Sequence, residues 1–141
     1  RIDEIRAAIG LVQLSKVERN NERRRLLTQV YRDALQELTP QVNVPFQHHL
    51  GKTSAHIMPV LLPEETKRQN FIESMKENGI QTSIHYPPIH TFTSYKDDTV
   101  WNLPVTEDVA KREITLPLYP AMSNDDVIVV VSAIQASLNL S

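Results

Sequence analysis

The sequence has 141 residues, of which 40% are hydrophobic, and it carries a net charge of −2. This composition is sufficient for the core of one domain and excludes a disordered or fibrous chain. The charge provides no overall basic field, so we predict neither nucleic acid nor a membrane as a partner. The apolar runs are also much shorter than the roughly 20 residues that cross a bilayer. Because cysteine is absent and no signal-peptide pattern is present, we predict a cytoplasmic protein.

A long helix is predicted at the start of the chain. Residues 3–38 contain no proline and are rich in Ala, Leu, Arg, Gln and Glu, which favour helix. In the first half of this helix, apolar side chains would project on nearly all sides, whereas the second half has a single apolar stripe. The first half therefore needs cover that a 141-residue chain would struggle to provide. We predict that residues 1–38 form a helix leading to a further domain or a partner subunit, and that residues 39–141 form a small α+β domain.

After Pro40, short apolar runs divided by proline and glycine predict alternating strands and helices. The segment AHIMPVLLP (55–63) is typical of a strand, in which Pro59 favours an edge position or a bulge. A helix is predicted over 64–79, with two glutamates in its first turn and a glycine just beyond its end. The segment IQTSIHY (80–86) predicts the next strand.

The last third of the sequence predicts a helix, a strand and a final helix. We expect Thr106 to cap the first of these helices and TLPLYP (115–120) to be the strand. Ser123 and Asp126 have the spacing of a capping box, so the final helix should begin at Ser123. This order indicates an α+β fold with a small antiparallel sheet packed with helices.

The loop TSIHYPPIH (82–90) is the main candidate site. Its two consecutive prolines fix φ and make the loop stiff. A stiff loop holds the imidazoles of His85 and His90 and the phenol of Tyr86 at set positions, where they can bond to sugar hydroxyls or phosphates. The alternative is a surface turn with solvated histidines. Spacing alone favours that alternative, because two histidines five residues apart do not indicate any particular catalytic or binding mechanism.

Other motifs point to structure more than to chemistry. The triplet GKT (51–53) lacks the glycine that a phosphate-binding loop requires five positions earlier, where Phe46 stands. The five histidines lack the spacing of a metal site, so we predict no metal. In ERNNERRR (18–25), acidic residues and arginines alternate at helical spacing. We therefore predict a solvated face with intrahelical ion pairs at this run, and not an RNA contact.

Four stretches, taken in order, resemble the C-terminal part of the DegT/DnrJ/EryC1/StrS family of sugar aminotransferases, which are pyridoxal phosphate enzymes. They are RIDEIRAAIGLVQL (1–14), SAHIMPVLLP (54–63), GIQTSIHYPPIH (79–90) and LPVTEDVAKREITLPLYPAMSNDDV (103–127). Their order and gaps match the family over essentially the whole chain. The resemblance implies the small C-terminal domain of a fold-type-I transaminase, in which a larger domain carries the cofactor and the enzyme is usually a homodimer.

The resemblance also implies roles for individual residues. In the intact family an amino group passes, typically from glutamate, to a keto-sugar attached to a nucleotide. By position, His85 and Tyr86 would border the substrate, with His90 close behind, and Arg1 would end a segment that helps to bind the cofactor phosphate. The Schiff-base lysine would lie upstream, so we expect no catalytic residue and no bound pyridoxal phosphate in this chain alone. The alternative is a stand-alone ligand-binding or regulatory module with the same fold.

Overall fold

The computed structural model describes residues 2–38, 40–48, 51–95 and 101–139. Helix α1 is Glu4–Gln36, and Asp3 caps it by accepting a hydrogen bond from the Arg6 backbone N–H at 2.8 Å. The carboxylate satisfies a backbone N–H that has no partner inside the helix, and it lies at the positive end of the helix dipole. The predicted long helix is therefore confirmed. None of the described helices combines the length and apolarity needed to cross a bilayer.

A two-stranded antiparallel sheet lies at the centre of the fold. Strand β1 is Met58–Leu61 and strand β2 is Glu113–Leu116. Single-residue bridges extend the sheet on both sides, from Asn43 to the end of β1 and from Ser83 to Thr115 in β2. Across the sheet the order is thus Asn43, β1, β2, Ser83. The predicted fold class, a small antiparallel sheet packed with helices, is confirmed.

Proline positions explain where the sheet ends. Pro59 lies opposite Thr115, whose own backbone bonds go to Ser83 on the other side, so the ladder requires no N–H from Pro59. By the same alternation residue 117 faces the Ser83 side, where Pro117 has no N–H to extend the pairing beyond Thr115. The predicted strand at 115–120 was therefore placed too late, since β2 begins two residues earlier. The predicted strand at 80–86 was also wrong, because this segment meets the sheet only at Ser83.

Helix α2 is Arg68–Glu77, which corrects the prediction that its first turn contains Glu64 and Glu65. Those residues lie in a preceding turn, closed by a hydrogen bond from the Thr66 N–H to the Pro63 carbonyl at 3.1 Å. The predicted glycine at the other end is confirmed. Gly79 has φ +76°, and the N–H groups of residues 79 and 80 return to the carbonyls of residues 76 and 75. This Schellman arrangement satisfies the last carbonyls of α2.

Helix α3 is Pro104–Arg112, and its start differs from the prediction. Leu103 occupies the cap position, and Thr106 lies inside the first turn, where it makes no capping bond. Proline suits the first helical position because the backbone N–H that it lacks would have no intrahelical partner there. The helix therefore begins two residues before the threonine that the sequence suggested.

Helix α4 is Asn124–Ser137, and its predicted capping box is confirmed. The Ser123 hydroxyl accepts from the Asp126 N–H at 3.0 Å, and the Asp126 carboxylate accepts from the Ser123 N–H at 2.8 Å. The core lies between α1, α2, α4 and one face of the sheet. Its fully or almost fully buried side chains include Leu27, Tyr31, Leu35, Met58, Val60, Phe71, Met75, Ile114, Leu116, Val127, Val130 and Ile134.

Tyr31 links α1 to the segment that follows β2. Its hydroxyl donates to the Pro117 carbonyl at 2.8 Å, and burial raises the pKa of Tyr31 above its usual value. The second half of α1 thus shares one core with the rest of the chain. The division at residue 38 stays a prediction.

The arginines of residues 18–25 make more hydrogen bonds to the rest of the chain than the sequence predicted. Arg23 donates to the Met122 carbonyl at 2.6 Å, Arg24 to the Ala55 carbonyl at 3.1 Å, and Arg25 to the Thr53 carbonyl at 3.2 Å. An intrahelical pair does exist, between Arg25 and Glu18 at 2.9 Å. These side chains therefore hold two loops against α1, and the prediction of a merely solvated face was incomplete.

The first half of α1 is exposed on several sides. Ile5 has 76% of its surface exposed, and Ile9, Leu11, Val12 and Leu14 are exposed as well. Within the described residues, no segment packs over these side chains. The sequence-based expectation that this half needs further cover is thus consistent with the structure.

The capping box of α4 can be tested by Ser123→Ala. This change removes the acceptor for the Asp126 N–H, and we expect the free energy of unfolding to fall by about 1 kcal/mol in a denaturant titration at neutral pH. Ser132→Ala is a matched control, since Ser132 is exposed within the same helix. A loss no larger than that of the control would contradict the assigned cap.

The same cap predicts a dependence on pH. Hydrogen bonds from Ser123, first from its backbone and then from its side chain, lower the pKa of Asp126. Because the folded pKa lies below the unfolded one, the stabilisation is complete above the unfolded value of about 3.9 and is lost as pH falls through the folded value. We expect the stability difference between wild type and Asp126→Asn to shrink in that acid range.

Candidate functional site

Strand β2 positions the loop that contains His85. Thr115 exchanges two backbone bonds with Ser83, at 2.8 and 3.1 Å, so the antiparallel register brings His85 opposite Glu113. There the pairing changes, because the His85 backbone N–H donates to Oε2 of the Glu113 side chain at 3.1 Å. Two prolines follow shortly afterwards and offer no N–H. The chain therefore leaves the sheet at this point and forms the loop.

The two faces of β2 have different chemistry. Ile114 and Leu116 belong to the core, whereas Glu113 and Thr115 lie on the opposite face and are nevertheless only 6% and 5% exposed. The Thr115 hydroxyl donates to Oε1 of Glu113 at 2.6 Å, and the Thr115 hydroxyl oxygen lies 2.9 Å from Nδ1 of His85. A buried carboxylate, a hydroxyl and an imidazole are thus connected in series.

A cleft of about 280 Å³ lies between this loop and α3. Tyr86, 73% exposed, stands edge-on to the His85 ring with 4.8 Å between ring centroids. The lining combines apolar side chains of α3 with the polar groups of the loop: His85, Tyr86, Pro88, Val105, Thr106, Val109, Ala110 and Glu113. Whole small-molecule pockets have about 300–1,000 Å³. The cleft is therefore at the lower size limit of such pockets.

Charged side chains fix the end of α3. Arg112 bonds both carboxylate oxygens of Asp108, at 2.9 and 2.6 Å, and also the Leu62 carbonyl at 3.0 Å. The hydrogen bond from Arg112 lowers the pKa of Asp108, and it raises the pKa of the guanidinium in return. The Asp108–Arg112 pair lies within α3, and Arg112 also joins the helix to the residue that follows β1, so it helps to hold one wall of the cleft in place.

His90 lies apart from His85. Its Nε2 is 3.6 Å from Oε1 of Glu107 on α3, its side chain is 14% exposed, and it does not line the cleft. The loop is thus attached to β2 at one end and to α3 at the other. Substrate binding by His90 stays a prediction, as it does for His85 and Tyr86. Arg1, predicted as a cofactor-phosphate residue, lies outside the described residues.

The cleft does not by itself fit pyridoxal phosphate. That cofactor needs a lysine amine and a cradle of positive charge or backbone N–H groups for its phosphate. The cleft lining has neither lysine nor arginine. A metal is no better supported, since among residues 2–38, 40–48, 51–95 and 101–139 no three His, Asp or Glu side chains converge as a metal site.

A larger cleft, of about 450 Å³, lies between residues 79–83, Tyr119 and α4. The ionisable groups in its lining are those of Tyr119 and Asp126. Asp126 already caps α4, and Thr115, which also borders this cleft, has its hydroxyl bonded to Glu113 and in contact with His85. The cleft beside His85 is therefore the better candidate.

Sequence reasoning missed Glu113 and Thr115. The segment EITL alternates polar and apolar residues, which is a signal for a strand with one polar face. The predicted strand, however, began at Thr115 and left Glu113 out. Even the correct strand would have placed both polar residues towards water, because their burial depends on a loop distant in sequence.

Comparison with known proteins agrees with the family resemblance seen in the sequence. The model of the DegT/DnrJ/EryC1/StrS aminotransferase family matches residues 1–135. The spore coat polysaccharide biosynthesis protein SpsC of Bacillus subtilis is 34% identical over 140 residues, covering 94% of this chain and 36% of SpsC.

Solved structures agree with this match. PseC of Helicobacter pylori, an aminotransferase involved in pseudoaminic acid biosynthesis, has 25% identity and a TM-score of 0.90, covering 99% of this chain and 38% of PseC. The aminotransferase TlmJ of Streptoalloteichus hindustanus has 27% identity and a TM-score of 0.84, covering 96% of this chain and 36% of TlmJ. The chain thus spans 36 to 38% of the length of these proteins. Because the family model covers nearly the whole chain, the chain belongs to the DegT/DnrJ/EryC1/StrS aminotransferase family.

Proposed function

We propose that this chain provides part of the substrate site of a pyridoxal phosphate-dependent aminotransferase that acts on a nucleotide-linked keto-sugar. The family supports amino transfer, and SpsC and PseC support a sugar substrate through the biosynthesis named for each. The observation that carries the proposal is the His85 ring, which a buried carboxylate and hydroxyl hold beside a small cleft.

The cleft has the groups that sugar recognition needs. The imidazole of His85 and the hydroxyl of Tyr86 can exchange hydrogen bonds with sugar hydroxyls, while Val105 and Val109 offer an apolar wall. In this proposal the residues of the chain bind and orient the sugar. Pyridoxal phosphate, when bound, supplies the electron sink for amino transfer, and it would bind elsewhere in the protein with its lysine. Glutamate as amino donor stays a prediction.

The exposed half of α1 supports the predicted homodimer. Its apolar side chains, from Ile5 to Leu14, form a surface that water does not solvate favourably. We propose that a second copy of the protein covers this surface. Such a contact would also place the start of α1 close to the other subunit.

The role of the cleft can be tested by His85→Ala in the complete protein. Losing one hydrogen bond to the substrate, worth about 1.4 kcal/mol, should lower kcat/KM with nucleotide-linked keto-sugars roughly tenfold. His56→Ala is the matched control, because His56 is exposed and does not line the cleft.

Thermal unfolding should be measured for both variants, so that a loss of turnover is separated from a loss of folding. Unchanged turnover in His85→Ala would contradict the substrate role and leave the loop as a structural element.

The dimer surface can be tested by sedimentation velocity. Ile5→Lys with Ile9→Lys places two charges on the exposed apolar half of α1, and we expect the dimer to dissociate at lower total concentration than wild type. Gln13→Lys is the control, since Gln13 is polar and exposed on the same half of the helix. A wild-type protein that stays monomeric at every concentration would contradict the proposal.

A further inference from the structure

We propose that Glu113 and Thr115 are positioning residues that fix the His85 ring with its proton on Nδ1, leaving Nε2 to accept a hydrogen bond. The consequence for ligand choice, a preference for a hydroxyl or amine group at Nε2, rests on the proposed function of the cleft. The fixed proton position does not, because it follows from contacts inside the chain.

The first step concerns the proton of Thr115. An ionised carboxylate can only accept hydrogen bonds. Oε2 of Glu113 accepts from the His85 backbone N–H at 3.1 Å, and Oε1 lies 2.6 Å from the Thr115 hydroxyl oxygen. The single hydroxyl proton of Thr115 is therefore directed to Glu113.

The second step concerns the His85 ring. The Thr115 oxygen lies 2.9 Å from Nδ1 of His85, and its own proton is already engaged. It can therefore only accept at this contact, so Nδ1 must carry the hydrogen. In a neutral imidazole the bond at one nitrogen fixes the state of the other, and Nε2 is then an acceptor.

The third step concerns the cost of burying Glu113. A carboxylate that is only 6% exposed loses solvation, and this loss requires compensation by hydrogen bonds or an opposite charge. Within the described ranges, no lysine, arginine or histidine forms an ion pair with this side chain. Its bonds go to His85 and Thr115, the groups that hold the imidazole. The hydrogen bonds that compensate for the burial of Glu113 are thus the same bonds that position the loop.

The arrangement has a consequence for specificity. Among the described residues, none bonds to Nε2 of His85, so this atom remains for a ligand. A neutral ring with an acceptor at Nε2 bonds a hydroxyl or an amine but gives no proton to a keto oxygen or an ionised phosphate oxygen. His85 would therefore select a hydroxyl-bearing part of the sugar, and the keto group would face other residues.

The test is nitrogen NMR of the complete protein labelled with ¹⁵N-histidine, at a pH where the ring is neutral. His85→Asn identifies the signals of His85. We expect Nδ1 to show the shift of a protonated nitrogen and Nε2 that of an unprotonated one. A wild-type ring with its proton on Nε2 would overturn the proposal.

Two substitutions sharpen this test. Thr115→Val keeps the shape of the side chain but removes the hydroxyl, so the Nδ1–H population should fall by more than half, whereas Thr115→Ser should restore it. An unchanged tautomer in Thr115→Val would overturn the proposal. The readout needs neither substrate nor turnover, so failure of the proposed function would appear separately, in the kinetics of His85→Ala.

Discussion

Strand β2 is buried on both faces, and this burial constrains the rest of the structure. On one face, Ile114 and Leu116 enter the core that joins α1, α2 and α4. On the other, Glu113 and Thr115 need hydrogen-bond partners, because buried polar groups without them are costly. The partners come from the loop after Ser83, which is thereby drawn over the strand. The same four-residue strand thus contributes to stability with one face and builds the candidate site with the other.

The candidate site depends on a loop that is stiff and attached at both ends. The His85 backbone and ring bond to β2, while His90 lies beside Glu107 on α3. Between these attachments the two prolines limit the backbone, so Tyr86 is held outward beside the cleft. A site that is ordered before a ligand arrives loses less conformational entropy on binding. This property suits recognition of a polar, flexible substrate such as a sugar.

Local signals allowed much of the fold to be predicted. The long α1, the capping box at Ser123 and the glycine after α2 each depend on residues close in sequence. The start of α3 was misplaced because Pro104, and not Thr106, begins the helix. The start of β2 was misplaced because the alternating pattern of EITL was used only from Thr115 onward. The residues of the histidine loop made it a candidate site, and the family resemblance added the substrate role. The link from Glu113 to His85 spans 28 positions, so only the folded chain reveals it.

Two features of the structure, the small cleft and the exposed half of α1, would be completed by further protein around them. The cleft is at the lower size limit of small-molecule pockets, and the first half of α1 exposes apolar side chains that need cover. Both are consistent with a chain that works within a larger protein, since it spans 36 to 38% of the relatives compared. The most direct test is a crystal structure of the complete protein with a sugar nucleotide bound. The account predicts a sugar hydroxyl about 3 Å from Nε2 of His85. A substrate bound without contact to His85 or Tyr86 would contradict it.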